Sequence, residues 1–418
     1  MNQRLTSLDV FRGMTIILMI IVNNPGDWGN VYAPFLHAEW HGCTPTDLVF
    51  PFFLFIVGVS VAINPNRPST DKVIIRTLRI ILLGLFLNYY SKIHIGSLEG
   101  TPLLLVKLFI TAIITVLLLG DYDKKKQLYV AIGLFILAII LAFGGFEDYK
   151  NVRLPGVLQR IGIVYFIITW IFLRTNAKTQ FIIGSAILLV YWFLMTVVPV
   201  PNGMTANLEP ATNLGAWLDN LLLNGHLWAT SKVWDPEGLL STLPAIGTGL
   251  AGVLTGQLLK NQMTPNQRVV NLLSWGIGAI IVGQIWNVVF PINKALWTSS
   301  YVVYVGGLAV LILGILYWAI DVKGWNSWTK PFVIYGVNPM LVFFFSGIIP
   351  RVLGSIKISQ PQNTENPEIG LQQWLYDNCI AVFFTEPKNA SIAGALTFLL
   401  IWFVILYLFY RKKIIFKV

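Results

Sequence analysis

Long apolar runs, separated by short polar stretches, recur from one end of the chain to the other. Crossing the hydrocarbon of a bilayer takes roughly 20 such residues in helix. The pattern predicts twelve spans, at 8–24, 46–63, 73–90, 103–119, 128–143, 156–173, 181–198, 238–258, 269–290, 298–320, 331–349 and 392–410. The first could be mistaken for a cleaved leader. Asp9 and Arg12 lie inside its start, however, no small-residue cleavage site follows, and Asn23-Asn24-Pro25-Gly26 comes next, so it reads as a retained helix. Asn338-Pro339 interrupts the eleventh run, a kind of break tolerated where backbone lines a cavity. No repeat of fixed period and no low-complexity tract is visible. The expected fold is an all-α polytopic membrane protein, a single domain over 1–418.

Composition agrees. Of 418 residues, 56% are hydrophobic and 11% charged, with a mean hydropathy of +0.69, whereas a soluble chain carries about 25% charged residues. The net charge of +10 would suggest nucleic acid in a soluble protein. Here its distribution gives another reason. With the N-terminus inside, the inner loops and tails hold Arg4, Arg67, Lys72, Arg76, Arg79, Lys124, Lys125, Lys126, Arg174, Lys178, Lys260, Arg268, Lys323, Lys330, Arg411, Lys412, Lys413 and Lys417. The outer loops hold fewer than half as many basic residues, which places both termini in the cytoplasm. The charge is topological bias plus attraction to lipid headgroups. Cys43 and Cys379 are too few for a disulfide framework or a zinc cluster, and no metal is expected.

Ionisable groups in or beside a span are costly unless paired or lining a wet cavity, so they mark candidate sites. Asp9 and Arg12, at i and i+3, form either a structural ion pair or a ligand contact. His37, in His37-Ala38-Glu39-Trp40-His41-Gly42-Cys43, is a candidate for proton transfer or for nucleophilic attack on an acyl group. Asp47 follows, as a helix cap or as the group that orients the histidine. Arg160, in the segment from Arg153 to Gly162, falls several residues inside a span and must face protein or water. Asp235 and Glu237 precede the eighth span, as partners of the helix dipole or as holders of a cationic amine. Asn293, Lys294 and Trp297 lie between spans nine and ten, with Tyr301 at the entry of the tenth. Among three long outer loops, 25–45, 199–237 and 350–391, the second carries Trp217, Trp228 and Trp234. Those tryptophans suit a sugar ring or an interfacial aromatic belt. Four of the five polar clusters lie on the outer side. A carrier that alternates access would place its polar site near the midplane between related repeats.

The run Arg4-Leu5-Thr6-Ser7-Leu8-Asp9-Val10-Phe11-Arg12-Gly13, the pair Val22-Asn23, the His37 to Pro51 segment, Arg153 to Arg160, Asp235 to Gly238 and Asn293 to Trp297 together resemble the heparan-alpha-glucosaminide N-acetyltransferase family. The resemblance touches nearly the whole chain. It implies transfer of an acetyl group from cytoplasmic acetyl-CoA to the amine of a glucosamine-type sugar across a bacterial inner membrane, by a homodimer. It also implies that His37 is the catalytic histidine and that Asn23 assists, with Asn24 as an alternative. Basic residues near the inner mouth, Arg12, Arg76 and Arg79, are the candidates for the CoA phosphates, and Gln159 and Arg160 are counted with the donor site. Trp234, Asp235, Glu237, Asn293, Lys294, Trp297 and Tyr301 fall on the acceptor side, and Asp9 is structural. Residues 91–150 look like an added two-helix hairpin, which leaves the downstream orientation unchanged. The competing expectations are an amino-sugar transporter and an O-acyltransferase of a surface polysaccharide.

Overall fold

The computed structural model describes residues 5–201, 203–359 and 368–416. Arg4, Lys417 and the 360–367 part of the third outer loop lie outside the described residues. The helices are α1 Thr6–Asn23, α2 Val49–Ile63, α3 Thr70–Tyr90, α4 Gly100–Leu119, α5 Lys124–Phe143, α6 Val157–Arg174, α7 Ala177–Thr196, α8 Leu214–Leu223, α9 Thr242–Lys260, α10 Pro265–Asn287, α11 Ser299–Leu316, α12 Lys330–Val337, α13 Pro339–Ser355, α14 Leu371–Cys379 and α15 Pro387–Arg411. A short antiparallel hairpin pairs β1 Lys357–Ser359 with β2 Glu368–Gly370. Among the described residues eleven helices are long and apolar enough to cross a membrane, or twelve if the bent pair α12–α13 is one span. The chain is a multi-pass membrane protein.

Eleven of the twelve expected spans are present with shifted ends, and the run at 331–349 is the bent pair α12–α13. The eighth begins at Thr242 rather than 238, because Asp235 to Gly238 folds as a turn tied to other segments. The ninth begins at Pro265, where Thr264 and Gln267 cap each other reciprocally. Two of the long loops are not irregular throughout. One contains α8, capped by Asn213 on the Ala216 N–H at 2.9 Å, and the other holds the end of α13, the β hairpin and α14.

Small residues set the closest crossings, as expected where lipid supplies no hydrophobic drive and packing must do so. A Cβ on Gly252 of α9 would lie 2.1 Å from the Phe55 carbonyl of α2, and one on Gly58 would lie 2.0 Å from that of Gly249. Helices α2, α3 and α9 form the interior, while α4, α5, α7, α10 and α15 turn most of their surface outward. At the α12–α13 junction the two axes bend by 77°. Pro339 has no N–H and forces Asn338 out of helical geometry, to φ −121° and ψ 54°. The Asn338 amide then donates to the Ile414 carbonyl at 3.1 Å and accepts from the Phe416 N–H at 2.8 Å. The C-terminal segment is thereby fastened to the break.

One face carries both described chain ends. There Asp321 accepts from the Thr6 and Ser7 N–H groups at the start of α1, and Lys260 donates to the Ala62 carbonyl in the last turn of α2 at 3.1 Å. We call this the terminal face and the opposite one the distal face.

Candidate active site

The distal loop between α1 and α2 is shaped by one carboxylate. Asp47 is buried in the turn that enters α2. Its Oδ1 lies 2.6 Å from His37 Nδ1. Its Oδ2 accepts from the Ala38 N–H at 3.1 Å and the Thr44 N–H at 2.9 Å, and its own carbonyl accepts from the Tyr301 hydroxyl at 2.6 Å. The carboxylate therefore folds the loop and holds the imidazole together. A charged acceptor on Nδ1 selects the tautomer that leaves Nε2 with its lone pair. The His37 side chain is 53% exposed, so that nitrogen is open to a reactant. Cys43, in the same loop, has its thiol pushed up to about 12 by burial and by the Asp47 charge. It stays protonated at neutral pH and is a poor nucleophile.

The 291–298 turn closes one side. The Gly42 N–H donates to the Ile292 carbonyl at 2.7 Å, and the Asn293 amide lies 3.4 Å from His41 Nδ1. Asn293 also accepts from the Leu296 N–H at 2.8 Å, which winds the turn and puts Trp297 at φ +54°. A bulky residue in that region is strained and persists only when its surroundings hold it. Here Trp297 donates to the Thr248 hydroxyl at 3.1 Å and packs edge-on against Phe50 and Tyr301. The Arg160 guanidinium sits 5.1 Å from the centre of its ring. Both Trp297 and Tyr301 are fully buried, so they frame the site from below. Trp234 is half-buried, in edge contact with Trp40 at 5.3 Å and Trp228 at 5.8 Å, at the mouth.

Arg153 supplies what the sequence reading left without a role. Its guanidinium takes Asp235 in a two-point clasp, at 2.8 and 2.6 Å, and also bonds Glu237. Asp235 and Glu237 are buried, so any influence on an acceptor amine passes through this clasp. Burial raises the Glu237 pKa, but Arg153, then Lys294 and Arg160, outweigh it and hold the carboxyl below its ordinary range. Arg160 donates to the Gly238 carbonyl at 3.0 Å and to the Ser241 hydroxyl. Among the described residues its buried Nε and Nη1 have no partner. Gln159 closes the loop before α6 through the Leu154 carbonyl at 3.1 Å. Asp219 on α8 receives the Leu239 N–H at 2.8 Å and the Asp235 N–H at 3.3 Å, and burial pushes its carboxyl up to about 6. Neither Arg153 nor Asp219 stood among the candidate ligands. Arg153 did leave a signal, as a basic residue on the side where such residues are sparse.

Asn23 is exposed at the last turn of α1, whose end packs against the Asp47 turn. The neighbouring Asn24 amide is committed to the Ile20 carbonyl at 3.1 Å. The remaining candidates lie at the terminal face. Arg12 pairs with Asp9 at 3.0 Å and reaches the Ser60 hydroxyl at 3.2 Å. Ser60 also lines a cavity of about 300 Å³ with Arg76 and Arg79. The structure thus gathers His37, Asp47, Asn293 and Tyr301, with Trp297, Arg160 and the Arg153 clasp alongside, and sets Arg12, Arg76 and Arg79 apart from them.

Comparison with known proteins bears on this arrangement. Heparan-alpha-glucosaminide N-acetyltransferase of Homo sapiens is 27% identical over 99% of this chain, and so is that of Mus musculus. The chain spans about 60% of the length of each. The family description "Heparan-alpha-glucosaminide N-acetyltransferase, catalytic" matches residues 4–284, which take in the histidine loop, the Arg153–Arg160 segment and the Asp235 turn. With two thirds of the sequence matched, the chain belongs to the heparan-alpha-glucosaminide N-acetyltransferase catalytic family.

Proposed function

We propose that this protein is an acetyltransferase of a bacterial inner membrane. It takes the acetyl group of acetyl-CoA at the terminal face, read as cytoplasmic, and delivers it to the amine of a glucosamine-type sugar at the distal face. The observation that carries the reading is the His37–Asp47 pair on the exposed distal loop. A sugar amine arrives as an ammonium and cannot attack until it loses a proton. Water takes that proton; as the amine nitrogen attacks the thioester carbonyl, His37 Nε2 takes a second proton from it, and the C–S bond breaks as the imidazolium returns this second proton to the departing thiolate. Asp47 stabilises the imidazolium. In the covalent variant Nε2 attacks the thioester first and the amine then attacks the acetylated imidazole. Both routes use the same pair.

Asn23, with Asn24 already engaged, is the amide left to stabilise the developing oxyanion. Gln159 and Arg160, at the distal end of α6, meet the acyl end of the donor. The free Nε and Nη1 of Arg160 suit a thioester oxygen. Asn293, Lys294 and Trp234 border the acceptor. From Ser60 to Asp47 the helical rise is roughly 20 Å, and the buried Leu54, Phe55 and Val59 fill the interior between them. Loading the acyl arm requires that packing to part.

Protein in nanodiscs, given acetyl-CoA and glucosamine, should release one free thiol for each N-acetylated sugar. Sugar uptake into vesicles without thiol release would make it a carrier. Equal acetylation of a hydroxyl-only analogue would make it an O-acyltransferase.

A further inference from the structure

The cavity at the terminal face is built from four elements. Ser60, Val61 and Asn64 come from the end of α2, Lys72, Ile75, Arg76 and Arg79 from α3, and Tyr165 from α6, while Asp121, Lys124 and Gln127 come from the α4–α5 turn and its helix. Lys72, Arg76 and Arg79 follow the i, i+4, i+7 spacing that puts side chains on one helical face. Four cations thus border the space against one carboxylate, Asp121. Positive-inside bias accounts for cations on this side of a membrane, but not for their convergence on a polar hollow.

The cations differ in how they are held. Arg79 is buried, and donates to the Leu118 and Gly120 carbonyls and to the Gln127 amide oxygen, while Gln127 donates to the Tyr122 carbonyl at 2.7 Å. The α4–α5 turn is wrapped on this guanidinium, which is therefore wall and not ligand. Arg76 lies 4.8 Å from the centre of the Tyr165 ring, an apolar face that orients the group without neutralising it. Lys124 opens the first turn of α5 together with Lys125 and Lys126. Three ammonium groups at a helix N-terminus oppose the helix dipole and concentrate positive potential there. The fold itself gains nothing from that placement. Among the described residues no ion pair engages Lys72, Arg76 or Lys124.

We propose that this cavity is a phosphate-binding site with Lys72, Arg76 and Lys124 as its direct ligands. Two sources carry that chemistry: the nucleotide phosphates of the acyl donor, an assignment that rests on the acetyl-CoA reading above, and the headgroup of an anionic phospholipid. A volume of about 300 Å³ holds a phosphate group with part of a nucleotide, not a whole coenzyme, so the remainder of either ligand extends beyond it.

The test is direct binding to full-length protein in phosphatidylcholine nanodiscs, with CoA and with pantetheine, which lacks the phosphates. Arg76→Gln and the double variant Lys72→Gln/Lys124→Gln alter exposed side chains, so melting temperatures should match the unmodified protein. In parallel, protein from nanodiscs containing equal phosphatidylglycerol and phosphatidylcholine is examined by native mass spectrometry for retained lipid. For a donor site, CoA affinity falls at least about tenfold in the variants while pantetheine binding does not change. For a lipid site, CoA affinity holds and the retained phosphatidylglycerol is lost. If the variants change neither, there is no phosphate site here. Because binding is read without turnover, failure of the transferase reading would appear separately, as unmodified protein that makes no acetylated sugar.

Discussion

The two ends of the molecule handle charge in opposite ways. At the distal face three carboxylates of the site are each held by a named partner: Asp47 by His37, and Asp235 and Glu237 by Arg153. At the terminal face the cations outnumber the carboxylates around an open hollow. Paired buried charge fixes geometry, because a carboxylate left alone in the interior is too costly to tolerate. Unpaired charge at a surface holds nothing in place, yet it attracts a polyanion from a distance. The proposed acetyl transfer, which needs atoms set precisely, suits the first end, and the proposed capture of a diffusing phosphate the second.

Removing the imidazole at the distal end should have the largest effect. His37→Ala is expected to lower kcat for acetyl transfer by roughly 10²–10⁴-fold while CoA binding holds. Retention of most of the activity would take His37 out of the mechanism. Asp47→Asn should be next, with a loss of roughly 10²-fold or more. The amide would either turn its NH2 toward the donors Ala38 and Thr44 or, flipped, toward His37 Nδ1, where it selects the wrong imidazole tautomer. An Asp47→Asn enzyme with an unchanged pH–rate profile would show that the carboxylate is a loop anchor alone.

The Arg153 clasp tests the same contrast through stability. Arg153→Leu strands two buried carboxylates and should cost about 3–5 kcal/mol, measured by thermal or denaturant unfolding in detergent. Arg153→Lys keeps the charge but not the two-point geometry and should cost less. If both variants unfold like the parent, the clasp is not what secures the Asp235 turn. Salt sharpens the comparison from the other side. Raising ionic strength from about 0.1 M to about 1 M shortens the screening length from roughly 10 Å to roughly 3 Å. The KM for acetyl-CoA should rise several-fold over that range, while that for the sugar should stay within about twofold. Equal responses would remove the division of labour between the faces.

How much of this was legible beforehand follows from the same physics. Membrane helices announce themselves by length and apolarity, so eleven of the spans and the break at Asn338-Pro339 could be read from the chain. A costly ionisable group is equally visible, which is why His37, Asp47 and Arg160 stood out. What could not be read was pairing between segments far apart in sequence. Nothing local to Asp235 indicates that Arg153, 82 residues earlier, will clasp it. Nothing local to Arg79 indicates that its guanidinium will be occupied by the turn after α4. The structure within the 199–237 and 350–391 loops was missed for another reason: α8 and α14 are too short for an apolar-run criterion to register.

Asp219 provides the smallest and most specific probe of the distal end. Its carboxyl is raised from 3.8 to about 6 by burial, with the Asp235 charge adding to it and the two N–H donors opposing. An acid whose pKa rises on folding is favoured in its protonated form. Its contribution to stability is complete below the unfolded value near 4, and is lost as pH rises through the folded value near 6. The full shift corresponds to roughly 3 kcal/mol at most, and less once local solvent is counted. Asp219→Asn cannot titrate, so subtracting its unfolding free energy from that of the parent isolates this group from every other. The parent should lose stability relative to the variant between pH 4 and 7, by on the order of 1–3 kcal/mol. A difference that is flat across that interval, or of opposite slope, would mean that the aspartate keeps its charge throughout and that the distal turn carries one more permanent anion than its arginines balance.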